Sequence, residues 1–391
     1  MKPTALSRTW AEIDLDAIAQ NVKLLSSRLR PGVQMMAVVK ADGYGHGALE
    51  AAHTALAAGA TWLGVAMLDE GLALRRAGIA APMLVLGYTA PWIVSEAVAA
   101  GVSFTVYHGD VLEAASEAAQ TLGQRARVHV KVDTGMGRIG LPPAEAIEFC
   151  RRAAELPGVL LEGVFTHFAT ADAADKAYAQ EQLGRLTQVL NALEQEGIRV
   201  PVRHAANSAA IMDMPRTHLD LVRAGIAMYG LQPSGELSHP LPLVPAMSWK
   251  TRVVHVKTVP AGSFISYGCT FSADSERRIA TLPVGYADGY SRSWSNRGQV
   301  LLAGQRAPVV GRVCMDQLMV DVTDLAAAGL RVGIGDEAVL LGRQEREAIT
   351  ADELAAGLAT ISYEIVCLVG KRVPRLYLQE GEVVGVSTGV M

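Results

Sequence analysis

The sequence predicts an α/β chain in which a (β/α)8 (TIM) barrel is followed by a mainly β domain. Three observations lead there: short apolar runs alternate with helical stretches from Met35 to about Gly225, eight such runs are present, and the texture changes after Pro233. Strict alternation of strand and helix implies parallel crossovers, and eight such units close on themselves. The expected limits are 11–240 for the barrel and 241–391 for the β domain, with residues 1–10 able to join the latter. A chain of 391 residues is long enough for two or three domains.

Residues 9–14 read as an extra strand, and Asp14 or Asp16 suits the cap of a helix running through Leu29. The barrel strands are then expected at 35–39, 62–66, 83–86, 102–106, 128–132, 161–165, 202–206 and 219–222. Amphipathic stretches at 69–77, 110–122, 143–156 and 174–196 supply helices, several opening on Asp or Pro as helix starts prefer. After Pro233, Pro240, Pro242 and Pro245 the periodicity becomes β-like, with runs at 251–259, 278–282, 300–302, 308–313, 317–322 and 337–341. Gly333-Ile-Gly-Asp336 looks like a turn between two of these strands. One helix is expected at 350–357, extending toward Ser362, its start capped by Thr350 with Asp352 and Glu353 behind it.

Composition excludes several function classes. Lys+Arg 35 against Asp+Glu 39, without a long basic block, argues against a nucleic-acid partner. No apolar stretch approaches the roughly 18 residues of a membrane span, and Met1-Lys-Pro-Thr-Ala-Leu-Ser-Arg8 lacks the apolar core of a signal peptide. A cytoplasmic location is the expectation. Cys150, Cys269, Cys314 and Cys367 are scattered, the histidines form no ligand cluster and HExxH is absent, so no metal is expected.

The chemistry gathers where the predicted strands end. The apolar run from Val33 to Val39 stops on Lys40, followed at once by Ala41-Asp-Gly-Tyr-Gly-His-Gly47. A lysine at the end of a buried strand can lose its proton and become an amine able to attack a carbonyl; the ordinary alternative is a lysine that snorkels to the surface. Other strand ends carry Lys131 with Asp133, His167, Asn207 with Ser208, and Arg223, on the rim where barrel enzymes work. Each has a bland alternative: a core histidine, an arginine bridging the domains, Lys131 and Arg138 pairing with Asp133. Gly225-Ile226 and Asn207-Ser208 offer backbone N–H groups and a hydroxyl suited to a phosphate dianion. A lysine amine beside a phosphate cradle suggests pyridoxal 5'-phosphate held as a Schiff base. The glycines of residues 43–47 match neither a Walker nor a Rossmann fingerprint.

Ala37-Val-Val-Lys-Ala-Asp-Gly-Tyr-Gly-His-Gly47 resembles the cofactor-lysine signature of the alanine racemases. Lys131-Val-Asp-Thr-Gly-Met-Gly-Arg138, His204-Ala-Ala-Asn-Ser208, Ser266-Tyr-Gly268 and Val313-Cys-Met-Asp316 match that family in order, over nearly the whole chain. The resemblance implies a homodimer with shared active sites, in which Lys40 holds the cofactor and Tyr267 reaches it from the partner's second domain. It implies a two-base mechanism on the alanine aldimine, Lys40 serving the proton of the D-isomer and Tyr267 that of the L-isomer. A free phenol ionises only around pH 10, so such a base needs cationic help, and the resemblance places His167 between Tyr267 and Arg223. Arg223 beside the pyridine nitrogen can only donate, which leaves the ring largely unprotonated and disfavours transamination.

By the same resemblance Tyr44, Ser208, Gly225, Ile226 and Tyr363 bind the phosphate, with Asn207 beside them. Arg138 meets the substrate carboxylate and the cofactor's phenolic oxygen, and the N–H of Met315 reaches that carboxylate. Tyr286 and Tyr363, with Asp316, line a small entrance, and Lys131 is a candidate for carbamylation that would position Arg138. A broader racemase acting on serine or lysine, and a non-catalytic pyridoxal phosphate carrier, are the competing readings. The carrier resembles the barrel alone and leaves the second domain without a purpose.

Overall fold

In the computed structural model, which describes residues 8–388, the chain forms two compact units. One comprises Ala17–Gly43 and Ala48–Pro245; the other gathers the chain up to Asp16, Tyr44–Gly47 and the chain from Ala246 on. The expected limits at 11 and 240 therefore meet a more interleaved division, in which the strand Thr9–Asp14 goes with the β unit. Residues 1–7, part of the segment expected to join the second domain, lie outside the described residues.

The first unit is built on eight parallel strands: Gln34–Val38, Trp62–Val65, Met83–Val85, Ser103–Val106, Ala126–Lys131, Val159–Phe165, Val202–His204 and Leu221–Ala224. The last strand returns to pair with the first, Met36 opposite Arg223. The remaining seam is closed by backbone bonds from Asp220 N–H to the Arg203 carbonyl and from Arg223 N–H to that of Ala206. These strands are largely buried on both faces because helices cover the outside and side chains fill the bore; Met36, Leu63, Leu84, Phe104, Val128 and Val164 are fully buried. Helices at Leu68–Arg76, Gly109–Leu122, Pro143–Glu155 and Ala177–Gln195 lie where the apolar spacing predicts. The second of these stops at Gly123, whose φ of +64° admits the left-handed cap that a side chain would resist. The first helix, Leu15–Ser26, ends short of the expected Leu29.

The second unit is mainly β. Its large sheet runs in the order Gln305–Pro308, Gln299–Leu302, Glu337–Gln344, Met247–Arg252, Thr9–Asp14, Arg375–Gln379, Glu382–Ser387, with Glu347–Ile349 paired to Glu337–Gln344. A smaller sheet joins His255–Val259, Arg277–Leu282 and Leu318–Asp321. The expected strand at 251–259 is thus two strands. Val253 N–H donates to Asp336 on the large-sheet side and Val254 N–H to Thr281 in the small sheet, so the chain changes sheets at that point.

Residues 308–313 form no strand beyond Pro308; only Val309 bridges, to Val320, and Gly311 turns the chain at φ +75°. Gly333–Asp336 turns into the strand Glu337–Gln344 but follows the short helix Thr323–Ala327 and not a strand. The helix capped by Thr350, whose hydroxyl accepts the Glu353 N–H at 3.0 Å, stops at Leu358, because Ala359 adopts φ +55°. A separate helix, Ser362–Leu368, follows. Among the described residues no helix is long and apolar enough to cross a membrane.

Candidate active site

Lys40 stands two residues beyond the strand Gln34–Val38 and is half-buried. The chain then makes a left-handed turn, with φ of +53°, +53° and +61° at Ala41, Asp42 and Gly43. Each L-residue in that conformation costs about 1–2 kcal/mol, so neighbours must hold it. Glu70 does so, one carboxylate oxygen accepting the Ala41 N–H and the other the Ala66 N–H, both at 2.7 Å. Asp42 in turn accepts the Ala48 N–H at 2.9 Å, and the buried Tyr229 hydroxyl donates to the Val38 carbonyl at 3.0 Å. Sequence reasoning missed Glu70, for nothing in its local pattern marks it.

Lys131 ends the strand Ala126–Lys131 and is buried, with Nζ 4.6 Å above the Phe165 ring. The alternative of a close ion pair between Lys131 and Asp133 is not realised. One Asp133 carboxylate oxygen instead accepts the N–H groups of Gly135, Met136 and Gly137 at 2.9–3.1 Å, folding the loop that presents Arg138. The loop doubles back through Leu141, whose N–H donates to the Lys131 carbonyl. Gly140, at φ +119°, allows this return: a Cβ there would lie 2.8 Å from the Asp133 nitrogen.

Arg223, on the last barrel strand, is buried and donates to His204 Nδ1 at 2.8 Å, the Thr166 carbonyl at 2.9 Å, the Ala205 carbonyl at 2.8 Å and His167 Nδ1 at 3.1 Å. All four acceptors are uncharged, so the alternative of an arginine bridging two domains through a carboxylate fails. The Arg223 Nε–H donates to no described residue. His167 is half-buried, and Gln182 of the helix Ala177–Gln195 donates to its carbonyl at 3.1 Å.

Asn207 caps the helix Ser208–Asp213 by accepting the Ala210 N–H at 3.0 Å. The Ser208 hydroxyl oxygen accepts the Gly225 N–H at 2.9 Å and the Ala227 N–H at 3.4 Å, which leaves its own proton to donate outward. Ser208, Gly225 and Ile226 are buried side by side where two strand ends meet.

The electrostatics of this rim are one-sided. Burial, then the charges of Arg223 and Arg138, push the Lys131 amine well below the ordinary lysine value, with Asp133 opposing. Burial and the cations Arg223, Lys131, Arg138 and Lys40 push His167 well below its ordinary value, so its imidazole is neutral. Burial, then Arg138, lowers Arg223 to about 9, which still leaves it cationic at neutral pH. Arg223 and Arg138, with the Lys40 and Lys131 amines beside them, outnumber the Asp133 carboxylate that acts on Lys131, and such a rim is suited to an anionic ligand.

The β unit holds the rest. Tyr44 and Tyr363 face each other with ring centroids 6.3 Å apart, and burial, then Cys367, raises Tyr44 above the ordinary phenol range. Tyr267 follows Ser266, which adopts φ +66° and whose hydroxyl donates to the Arg312 carbonyl at 2.7 Å. The loop after Arg312 carries Met315 and Asp316. Tyr286 and Ala287 donate their N–H groups to the carbonyls of Cys314 and Met315, and a Cβ on Gly285 would lie 2.2 Å from the Cys314 oxygen, so only glycine permits this approach. Asp316 accepts from Arg372 at 2.6 Å, the same arginine that reaches the buried Asp288 at 2.7 Å. Tyr267, Tyr286 and Met315 are 70%, 43% and 53% exposed, with Phe264 nearby in sequence at 63%, so this loop cluster presents apolar surface outward. No group of His, Cys, Asp or Glu able to hold a metal occurs among the described residues.

Comparison with known proteins matches the two parts of the chain separately. The family model for the N-terminal domain of alanine racemase matches residues 13–233 and that for its C-terminal domain residues 246–377. An alanine racemase of Desulfovibrio desulfuricans is 52% identical over 370 residues, spanning 95% of this chain and 98% of that protein. The solved alanine racemase of Clostridium difficile 630 superposes with a TM-score of 0.94 at 38% identity, covering 100% of both chains. A solved histidine racemase of Leuconostoc mesenteroides shares the fold at a TM-score of 0.87 and 29% identity, covering 96% of this chain and 99% of its own.

Proposed function

The chain belongs to the alanine racemase family and interconverts L- and D-alanine; from that premise we propose that pyridoxal 5'-phosphate is its cofactor and that Lys40 and Tyr267 are its two proton-transfer residues. The observation that carries the cofactor reading is the donor set of the barrel rim. The Ser208 hydroxyl proton and the Gly225–Ile226 backbone suit a phosphate, the free Arg223 Nε–H suits a ring nitrogen, and Lys40 supplies the amine. The phosphate roles of Tyr44 and Tyr363 rest on the family resemblance alone. Once bound, the cofactor supplies an aldehyde to capture the amino group and a conjugated ring that withdraws electrons from the α-carbon.

The residues of the chain do the rest. Inverting a carbon centre requires one group to take its proton on one face and another to deliver a proton on the opposite face. Lys40 serves the face of the D-isomer. Tyr267 of a second copy serves that of the L-isomer, its oxygen hydrogen-bonded to the neutral His167, which Arg223 steadies. Arg138 takes the substrate carboxylate, with the Met315 N–H of the second copy as a further donor. A homodimer with shared sites follows, and the outward-facing apolar cluster around Tyr267 supports it.

With the cofactor bound, Arg223 would donate to its ring nitrogen without giving up a proton, which would keep the ring a modest electron sink and favour return of the proton to the substrate carbon. Burial and the neighbouring charges favour the uncharged form of the Lys131 amine, and carbamylation by CO2 would convert it into an anion able to orient Arg138. Tyr286 and Asp316 line the entrance on the partner's side. A small pocket prefers alanine, although one methylene changes discrimination by only about 1–3 kcal/mol. The absence of a disulfide among the described residues accords with a reducing, cytoplasmic setting, where D-alanine serves peptidoglycan synthesis or alanine breakdown.

Purified protein incubated with each single isomer of alanine, serine, lysine and histidine, followed by chiral separation, tests the reading. Rapid racemisation of alanine with little of the others is expected. Equal rates on serine or lysine would establish the broader racemase, and cofactor binding without racemisation the carrier.

A further inference from the structure

Below the reaction rim, a continuous file of buried polar side chains leads down the bore of the barrel from Arg223, and beyond that arginine the proposed chemistry does not use it. Arg223 Nη1 lies 2.8 Å from His204 Nδ1, His204 Nε2 lies 2.9 Å from His129 Nδ1, and His129 Nε2 lies 3.2 Å from Glu162 Oε2. Glu162 is held in turn by the Ser103 hydroxyl at 2.5 Å and by Arg127 at 3.1 Å. Ser103 opens its strand and Arg127 is the second residue of its own, so the file ends toward the amino ends of the strands, away from Lys40.

The direction of every bond in the file follows from its two ends. A guanidinium can only donate and an ionised carboxylate can only accept. His204 Nδ1 must therefore accept from Arg223, which puts its proton on Nε2; that proton is given to His129 Nδ1, which leaves the His129 proton on Nε2 for Glu162. Two neutral imidazoles, each with one donor and one acceptor, complete the chain with nothing left over. Burial, then Arg223, His129 and Lys131, holds His204 well below its ordinary value, consistent with a neutral ring. Burial alone would raise Glu162, but the bonds from His129, Ser103 and Arg127 hold it below the ordinary carboxylate range, so it stays ionised.

The rings cannot turn to choose otherwise. Phe165 stacks on His204 with centroids 4.5 Å apart at 4°, and Trp62 meets His129 edge-on at 5.7 Å. A Cβ on Gly163 would lie 2.3 Å from His129 Nδ1, so that glycine makes room for the ring. We propose that Glu162 is a positioning residue which, through the tautomers of His129 and His204, fixes the direction of this file and hence the orientation of the Arg223 guanidinium toward the cofactor ring. The inference rests on the assignment of Arg223 to the ring nitrogen. An amide at 162 could donate to His129 and reverse both tautomers, which would set an N–H of His204 against an N–H of Arg223 and tilt the guanidinium from its place.

The test uses the holoenzyme labelled with 15N-histidine, its two ring signals assigned through His129→Gln and His204→Gln. In the parent protein at neutral pH both rings are expected as neutral Nε2–H tautomers; either ring found protonated or as the Nδ1–H form overturns the proposal without any further variant. Glu162→Gln is expected to mix or reverse the tautomers and lower kcat about tenfold, the effect of one lost charged hydrogen bond, with KM changed less than about twofold. Unchanged tautomers, or unchanged kcat in a folded variant, overturns it. Because the tautomer signals need no turnover, failure of the racemase reading would show as an inactive parent protein and not as a change in these spectra.

Discussion

Ser208→Ala probes the proposed phosphate cradle with a single atom. In the parent, Ser208 is 5% exposed and its oxygen accepts the Gly225 N–H at 2.9 Å and, more weakly, the Ala227 N–H at 3.4 Å. Removing that oxygen leaves a buried amide without its acceptor, at a cost of about 1–3 kcal/mol in the stability of the cofactor-free protein. It also removes a donor to a phosphate dianion. A charge-assisted hydrogen bond of this kind contributes about 1.5–3 kcal/mol, or roughly 10- to 140-fold in Kd. The freed Gly225 N–H can itself turn to the phosphate, so the loss in affinity belongs near the lower end of that range.

Equilibrium dialysis of cofactor-free protein against pyridoxal 5'-phosphate measures the affinity, and denaturant unfolding measures the stability. Unphosphorylated pyridoxal is the control, since it lacks the group that Ser208 addresses and should bind parent and variant alike. A Kd for the phosphorylated cofactor within about twofold of the parent, or an equal loss for both compounds, would refute the cradle.

Three further outcomes follow from the same geometry. Lys40→Ala should abolish the covalent cofactor while leaving the phosphate site intact, so borohydride treatment fixes no label to the variant; a reducible adduct of undiminished yield would place the reactive amine elsewhere. Tyr267→Phe should slow exchange of the α-proton of L-alanine in deuterated water far more than that of D-alanine, and equal washout from the two isomers would argue against separate bases. Glu162 has a pH signature in stability. Its hydrogen bonds hold its folded value below the ordinary carboxylate value near 4.3, so its stabilisation is fully present above that value and is lost as pH falls through the folded one. The unfolding free energies of parent and Glu162→Gln should therefore differ most above pH 5 and converge on the way to pH 2; a gap that does not change with pH would contradict the buried carboxylate.

The barrel was legible from periodicity because its strands are buried on both faces and its helices on one, so apolar runs and apolar stripes alternate in the chain itself. The second unit was less so. Residues 251–259 form one apolar run yet serve two sheets, since Val253 and Val254 donate to different strands; pairing partners distant in sequence decide such a break, and local pattern does not register them. The short strands Arg375–Gln379 and Glu382–Ser387 were missed for the same reason, since they gain their place only by pairing beside Thr9–Asp14.

Of the candidate site, Lys40, Lys131, His167, Asn207, Ser208 and Arg223 could be named from the residues alone, because a strand end followed by glycine or a short polar residue marks the rim of a barrel. Their partners could not. Glu70 holding the left-handed turn after Lys40, and His129 with Glu162 in the bore, are ordinary residues of an amphipathic helix and of alternating strands. Sequence determines which side chains face inward, through periods of two and 3.6 residues. Which of those inward groups meet is set only when eight strands close with a particular register, as when Met36 comes opposite Arg223, because hydrogen-bond distances between residues far apart in the chain are fixed by that closure and by nothing local.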